Sequence, residues 1–163
     1  MAEPELEFVK ATREHAELLA PVMRKEDAAE IKASGDYAPF EGIMASIDAS
    51  DEAWAAFMGD EIACIFGVVQ HPKDPAVGIP WLLTSNNIEK YPKKFFIASK
   101  YWLLRFQRQY PKLVQMVDAR YSRALKWANR CGFAIHVPKT WGVEDRDFHP
   151  ITMEVKSGGI TYV

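Results

Sequence analysis

Between Glu52 and Thr84 the chain reads as three consecutive strands, and between Pro92 and Phe133 it reads as helix, strand and helix. Glu52 to Met58 and Glu61 to Gln70 are apolar segments on either side of Gly59-Asp60. Glycine reaches the positive φ that a two-residue turn needs, so this stretch reads as a β-hairpin. A proline-rich turn, His71-Pro72-Lys73-Asp74-Pro75, then leads into a strand from Val77 to Thr84. Pro80 lies inside that strand and cannot donate a ladder hydrogen bond, which predicts a bulge or an unpaired side there. Pro92 to Tyr110 is the longest helical segment, opened by Pro92 and closed by Pro111. Its apolar face is wide: Phe95, Ala98, Trp102 and Phe106, with Phe96, Leu103 and Tyr110 beside them. That width predicts burial against a sheet rather than a coiled-coil seam. Lys112 to Val117 reads as a strand. Tyr121 to Cys131 reads as an amphipathic helix that buries Ala124, Leu125, Ala128 and Cys131 and exposes Arg123, Lys126 and Arg130. Gly132 supplies its C-cap and Phe133 returns to the core.

The N-terminal third is predominantly helical. Glu7 to Ala11 reads as a first strand, and Thr12 as the N-cap of a helix over about 13–22. Pro21 separates it from a helix over 25–34 that Gly35 stops, and a third covers 37–48. Two closing strands are expected at about 134–138 and 148–155. The order β, α, α, α, β, β, β, α, β, α, β, β predicts an α/β class with a mixed sheet of six to seven strands and helices on both faces. The sheet is antiparallel first and locally parallel around the long helix.

A chain of 163 residues is one domain in length. We expect that domain over 1–156, with a flexible tail at 157–163. The longest apolar run, Ile62 to Val69, is far short of the roughly 20 residues of a membrane-spanning helix. The acidic start, Met-Ala-Glu-Pro-Glu-Leu-Glu, has no apolar stretch of a signal peptide. Cys64 and Cys131 read as buried reduced thiols. His15, His71, His136 and His149 are scattered without ligand spacing, so no metal site is expected.

Charge is divided unevenly. Residues 1–61 carry 15 acids and 5 bases, whereas residues 62–163 carry 7 acids and 15 bases. Residues 90–139 hold 12 bases and one acid, Asp118. Either this basic region faces an acidic partner or the two halves neutralise each other within one domain. Nucleic acid ranks last as a partner, since no helix-turn-helix or zinc motif accompanies the bases.

The order of elements, together with Val117-Asp118-Ala119-Arg120-Tyr121 through Gly132-Phe133, resembles the GNAT (Gcn5-related N-acetyltransferase) superfamily. A closer resemblance is to a phage branch, the proteins related to the internal virion protein A of short-tailed phages. It rests on Pro80-Trp81-Leu82-Leu83-Thr84, Asn86 to Lys90, Phe95 to Tyr110-Pro111, Val117 to Arg120 and Gly132-Phe133. That branch implies a virion-associated or infection-accessory role with weak or no acetyltransferase activity. It also implies virion or host proteins as partners, a second copy of the chain as another, and the host cytoplasm or the virion interior as location. The superfamily implies the alternative, an acyltransferase that uses acetyl-CoA or CoA and an unknown amine.

The superfamily's phosphate loop falls on Thr84 to Lys94, which contains no glycine. A nest of main-chain N–H groups around a diphosphate is therefore not expected, and Lys90, Lys93 and Lys94 would substitute as point charges. Trp81, Leu82, Leu83 and Thr84 would lie along the cofactor. Counting back from Gly132-Phe133, the superfamily's asparagine falls on Tyr121 and its proton-donating tyrosine on Ala128, which has no proton to give. Tyr121 and Asp118 remain the catalytic candidates. His71, Glu52 and Glu61 are weaker candidates for a base.

Overall fold

The computed structural model describes residues 3–155, and the expected tail at 157–163 lies outside the described residues. Strand β1 (Leu6–Lys10) is followed by α1 (Arg13–Leu19), a 3-10 turn, α2 (Lys25–Gly35) and α3 (Pro39–Ala49). Then come β2 (Glu52–Met58), β3 (Glu61–His71), β4 (Asp74–Thr84), α4 (Pro92–Gln109), β5 (Lys112–Asp118) and α5 (Ser122–Cys131). The chain closes with β6 (Ala134–Ile135), β7 (Lys139–Trp141) and β8 (Arg146–Glu154). The strands form one sheet in the order β1-β2-β3-β4-β5-β8-β6, with β7 paired to β8. Among the described strands only β4 and β5 run parallel. Their connection is α4, since two parallel neighbours need a crossover. No described helix is long and apolar enough to cross a membrane.

The C-terminal edge differs from the sequence reading. The strand expected at 134–138 has two residues, Ala134–Ile135, and Pro138 cannot donate to any continuation of it. A short β7–β8 hairpin stands where no strand was expected. Its turn places Gly142 at φ 81 and Asp145 at φ 53, and no hairpin dipeptide flags it.

Each face of the sheet buries its own core. On one, α4 and α5 cover Phe66, Val68, Leu113 and Val117 with Trp102, Phe106 and Tyr110. On the other, α1 and α3 cover Ala55, Ile62, Ile65 and Leu83 with Leu19 and Ile43. Gly78 allows Tyr110 to lie against β4, since a Cβ there would stand 2.6 Å from the ring.

The two parallel strands pair only at Val77–Lys112 and Gly78–Leu113. Past that point they diverge, and Pro80 is the reason on the β4 side: its nitrogen has no proton to give. Gln115 spans the gap instead. Its amide nitrogen donates to the Pro80 carbonyl at 2.7 Å, and its side-chain oxygen accepts from the Met116 N–H at 2.8 Å. Gln115→Leu strands both main-chain groups, and we expect a loss of about 1–3 kcal/mol, the usual cost of an unsatisfied buried polar group. A fall in the urea midpoint at unchanged slope is the measurement. An unchanged midpoint would mean that the Gln115 bridge contributes nothing to joining the strands.

Candidate active site

The fork between β4 and β5 opens into a cavity of about 610 Å3, lined by residues of α2, α4 and α5 as well as the strands. Strand alternation defines its polar edge. The Pro80 carbonyl accepts from Gln115 on the β5 side, and the Thr84 N–H also points away from β3. Alternation therefore turns the N–H and C=O of Leu82, midway between them, onto the same open edge.

Helix α2 closes the far end of the fork. Asp27 Oδ2 accepts from the Thr84 N–H at 2.8 Å and the Thr84 hydroxyl at 2.5 Å, which caps the β4 arm. One turn later, Glu30 Oε2 accepts from the Asp118 N–H at 2.8 Å, which caps the β5 arm. The i, i+3 spacing is what puts both carboxyls on one helix face. Arg24, the N-cap of α2, donates its main-chain N–H to the Thr84 carbonyl at 2.9 Å.

These groups are electrostatically unusual. Burial pushes the Glu30 carboxyl up to about 8, and the charges of Asp27 and Asp118 add to this, against the Asp118 N–H bond and Arg120, which pull it down. Burial also raises Asp27, opposed by its bonds to Thr84. Burial raises Tyr121 as well, with the negative charge of Asp27 adding, so the phenol keeps its proton. Asp118 goes the other way: burial works to raise it, but the Arg120 guanidinium and N–H hold it below the usual carboxylate range. A carboxyl poised near neutrality in a cleft is the pattern expected of a proton-transfer group.

The residues singled out by sequence fall in different places. Tyr121 is buried, lies at the start of α5 and lines the cleft. Asp118 has both carboxylate oxygens gripped by Arg120 Nε and Nη2, so its N–H rather than its carboxylate serves the site. Leu82 packs toward α4 and α5, whereas Trp81 and Leu83 pack toward α1 and α3. The Trp81 indole N–H donates to Ser50 Oγ at 2.7 Å. Thr84 is held by Asp27, as above. Lys90 pairs with Glu61 at 3.2 Å, and Lys94 with Glu5 at 2.9 Å and Glu3 at 3.5 Å. Both ammonium groups are thereby engaged by acids of the N-terminal half. Lys93 is exposed in the first turn of α4 and makes no ion pair among the described residues. Ala128 is fully buried. None of His71, Glu52 or Glu61 lines the cleft. His71 Nδ1 accepts from the Lys73 N–H, and Glu52 is engaged by Trp54 Nε1 and by Arg105.

The segment from Thr84 to Lys94 is wound into a 3-10 turn, Asn86–Glu89. Its N–H groups serve itself: Ile88 donates to the Ser85 carbonyl, Lys90 to the Asn87 carbonyl and Asn87 to Ser85 Oγ. At the α4 start Pro92 has no N–H and Phe95 donates to the Tyr91 carbonyl, which leaves the Lys93 and Lys94 N–H groups without intrahelical partners.

Sequence reasoning missed Asp27, Glu30 and Arg24, which bring the site its unusual chemistry. The face of α2 that carries Asp27, Glu30 and Ser34 lines the cleft, so this helix turns polar groups inward. The ion pairs also account for part of the charge division, since Lys90, Lys94, Arg105 and Arg123 all pair with acids from residues 1–61.

No family model and no curated protein sequence matches the chain. Solved structures match across nearly all of it. The ribosomal-protein alpha-N-acetyltransferase RimL in complex with coenzyme A superposes with a TM-score of 0.66 at 12% identity, covering 92% of this chain and 94% of that one. Ard1 from Thermoplasma volcanium gives 0.69 at 8% identity, over 93% and 99%. A GNAT-family acetyltransferase from Bacillus anthracis gives 0.67 at 7% identity, over 94% and 97%. The chain has the fold of the GNAT acyltransferases.

Proposed function

We propose that this protein transfers an acyl group from a coenzyme A thioester to an amine. The observation that carries the reading is the fork itself: its β4 edge turns the Leu82 main-chain groups to the cavity, and α2 lays Glu30, a carboxyl raised to about 8, across its end. The thioester supplies an activated acyl group. Leu82 N–H and C=O offer the amide-bearing arm a strand-like edge, and the apolar lining from Phe66, Phe95, Leu103 and Ala124 excludes water from it. Glu30 takes the proton of an incoming ammonium, for which a carboxyl near 8 is better matched than an ordinary one. Among the described residues Tyr121 is the one tyrosine lining the cleft; its phenol keeps its proton and donates a hydrogen bond to the leaving sulfur, which departs as thiolate and is protonated from water.

The fit to coenzyme A is divided. The arm suits the cleft. The diphosphate finds no main-chain nest in the 3-10 turn, and only the Lys93 and Lys94 N–H groups and the Lys93 ammonium stand ready at the α4 start. A virion-associated role, which the phage-branch resemblance implies, rests on its quoted segments alone. Two of the neighbours named above, RimL and the Bacillus anthracis protein, are described as acetyltransferases, and they support acyl transfer first.

The test is calorimetric titration with acetyl-CoA followed by release of free thiol in the presence of amino acids, polyamines and peptides. We expect saturable binding and thiol release that depends on an amine. Absence of both at millimolar acetyl-CoA would leave only the accessory role.

A further inference from the structure

We infer that the cleft contains an anion subsite built on Arg24, which takes a carboxylate or phosphate of the bound ligand through two parallel hydrogen bonds. Arg24 is 6% exposed, and both Nε and Nη2 are buried with no hydrogen-bond acceptor among the described residues. The nearest acid, Glu89, stands 3.6 Å from Nη2, too far for a hydrogen bond, and is itself gripped by Arg123. The guanidinium lies over the Tyr121 ring at 5.9 Å and lines the cavity. Buried guanidinium donors without acceptors are costly, and a ligand that enters the cavity beside them and supplies a pair of acceptors relieves that cost.

The free edge has a defined chemistry. Nε and Nη2 are the two donors on one side of the guanidinium, and they match a pair of oxygens on one centre. The same protein shows the pairing elsewhere. Arg120 uses this edge on Asp118, with Nε at 3.0 and 3.1 Å and Nη2 at 2.6 Å from the carboxylate oxygens. In Arg24 the edge is identical but the carboxylate is missing. Trp127 on α5, whose Nε1 is also buried without a partner among the described residues, lines the same cavity. Main-chain anchoring on Thr84 fixes Arg24 beside the fork.

The anion has two sources: the diphosphate of coenzyme A, for which the 3-10 turn provides no cradle, or a carboxylate of the amine substrate. Calling the ligand a substrate rests on the acyl-transfer reading. The subsite itself does not, because its test reads binding alone.

The experiment compares wild type, Arg24→Met and Arg24→Lys by thermal unfolding and calorimetry. The phosphate probes are inorganic pyrophosphate and coenzyme A, with pantetheine as the control lacking phosphate. The carboxylate probe is millimolar leucine, chosen for the apolar lining, with leucinamide as its control. We expect wild type to respond to one anion pair and not to its control, with a loss of affinity of at least tenfold in Arg24→Met. Arg24→Lys retains charge without the fork and binds more weakly than wild type. Without ligand, Arg24→Met is expected to melt no lower than wild type, since it removes a buried charge with unsatisfied donors. A response to coenzyme A and pyrophosphate assigns phosphate, and a response to leucine assigns carboxylate. No response to any probe, or a full response in Arg24→Met, overturns the subsite. Anion binding in the absence of any amine acylation would sink the acyl-transfer reading and leave the subsite standing.

Discussion

Glu30→Gln is expected to reduce amine acylation by about 10²–10⁴-fold, the usual contribution of a positioned general base, and to stabilise the protein at alkaline pH. Gln keeps an oxygen to accept from the Asp118 N–H, so the β5 arm stays capped. What it removes is a proton equilibrium. In wild type, kcat/KM should climb with pH and level off above about 8, where Glu30 is ionised. In the variant that limb is lost.

The sign of the stability effect follows from where the proton is held. Glu30 has a folded pKa of about 8 against an ordinary value of 4.5. Below 4.5 both states are protonated and the contribution is fully present. Between 4.5 and 8 the folded state retains a proton that the unfolded chain has lost, so stability falls as pH rises, by at most about 1.4 kcal/mol per unit. Gln mimics the protonated form. The two proteins should therefore melt alike near pH 5 and diverge toward pH 8–9, with Glu30→Gln the more stable. Asp27 lies one turn away and its charge raises Glu30, so the wild-type profile belongs to the pair. Melting curves that differ by the same amount at every pH would remove Glu30 as a buried titrating group. An active Glu30→Gln would remove it as the base.

How far this site could be read in advance depended on the physics each residue obeys. The scaffold was legible because its signals are local. Gly59 permits the β2–β3 turn, Pro92 and Pro111 bound α4, and Gly132 at φ 110 closes α5. Pro80 announced the break between β4 and β5 in the same way. The site was harder because its chemistry is created by approach in space. Asp27 and Glu30 are ordinary surface-type residues in sequence, and they become unusual when α2 lies across the ends of two strands, at Thr84 and Asp118, 57 and 88 residues further along the chain. Asp118 illustrates the converse. A lone acid in a basic stretch drew attention, yet Arg120, two residues on, consumes its carboxylate. The lysines of the α4 entrance were legible as charges, but their partners lie on other elements, Glu3 and Glu5 at the N-terminal end and Glu61 at the start of β3.

Trp102→Ala should be the most destabilising single truncation of the α4 face. Trp102 is 7% exposed and stands at the centre of an aromatic group. Its ring lies 5.0 Å from Phe66, 5.1 Å from Trp54, 5.3 Å from Phe8 and 6.2 Å from Phe106, with the Arg105 guanidinium 4.8 Å away. These contacts tie the middle of α4 to β1, β2 and β3 together. Truncation removes the buried area and leaves a void the sheet cannot close, for a cost of about 3–5 kcal/mol. In a domain of this size that is a fall in Tm of roughly 6–20 °C. Trp102→Phe retains most edge and tilted contacts and should cost clearly less. Because Trp102 also lines the cleft, the alanine variant should bind an acyl-CoA more weakly even at temperatures where it remains folded. A loss below about 1 kcal/mol, well under the range for a large buried aromatic, would show that α4 is held by its ends, at Tyr110 and at the Lys94 pairs, and that its centre is dispensable.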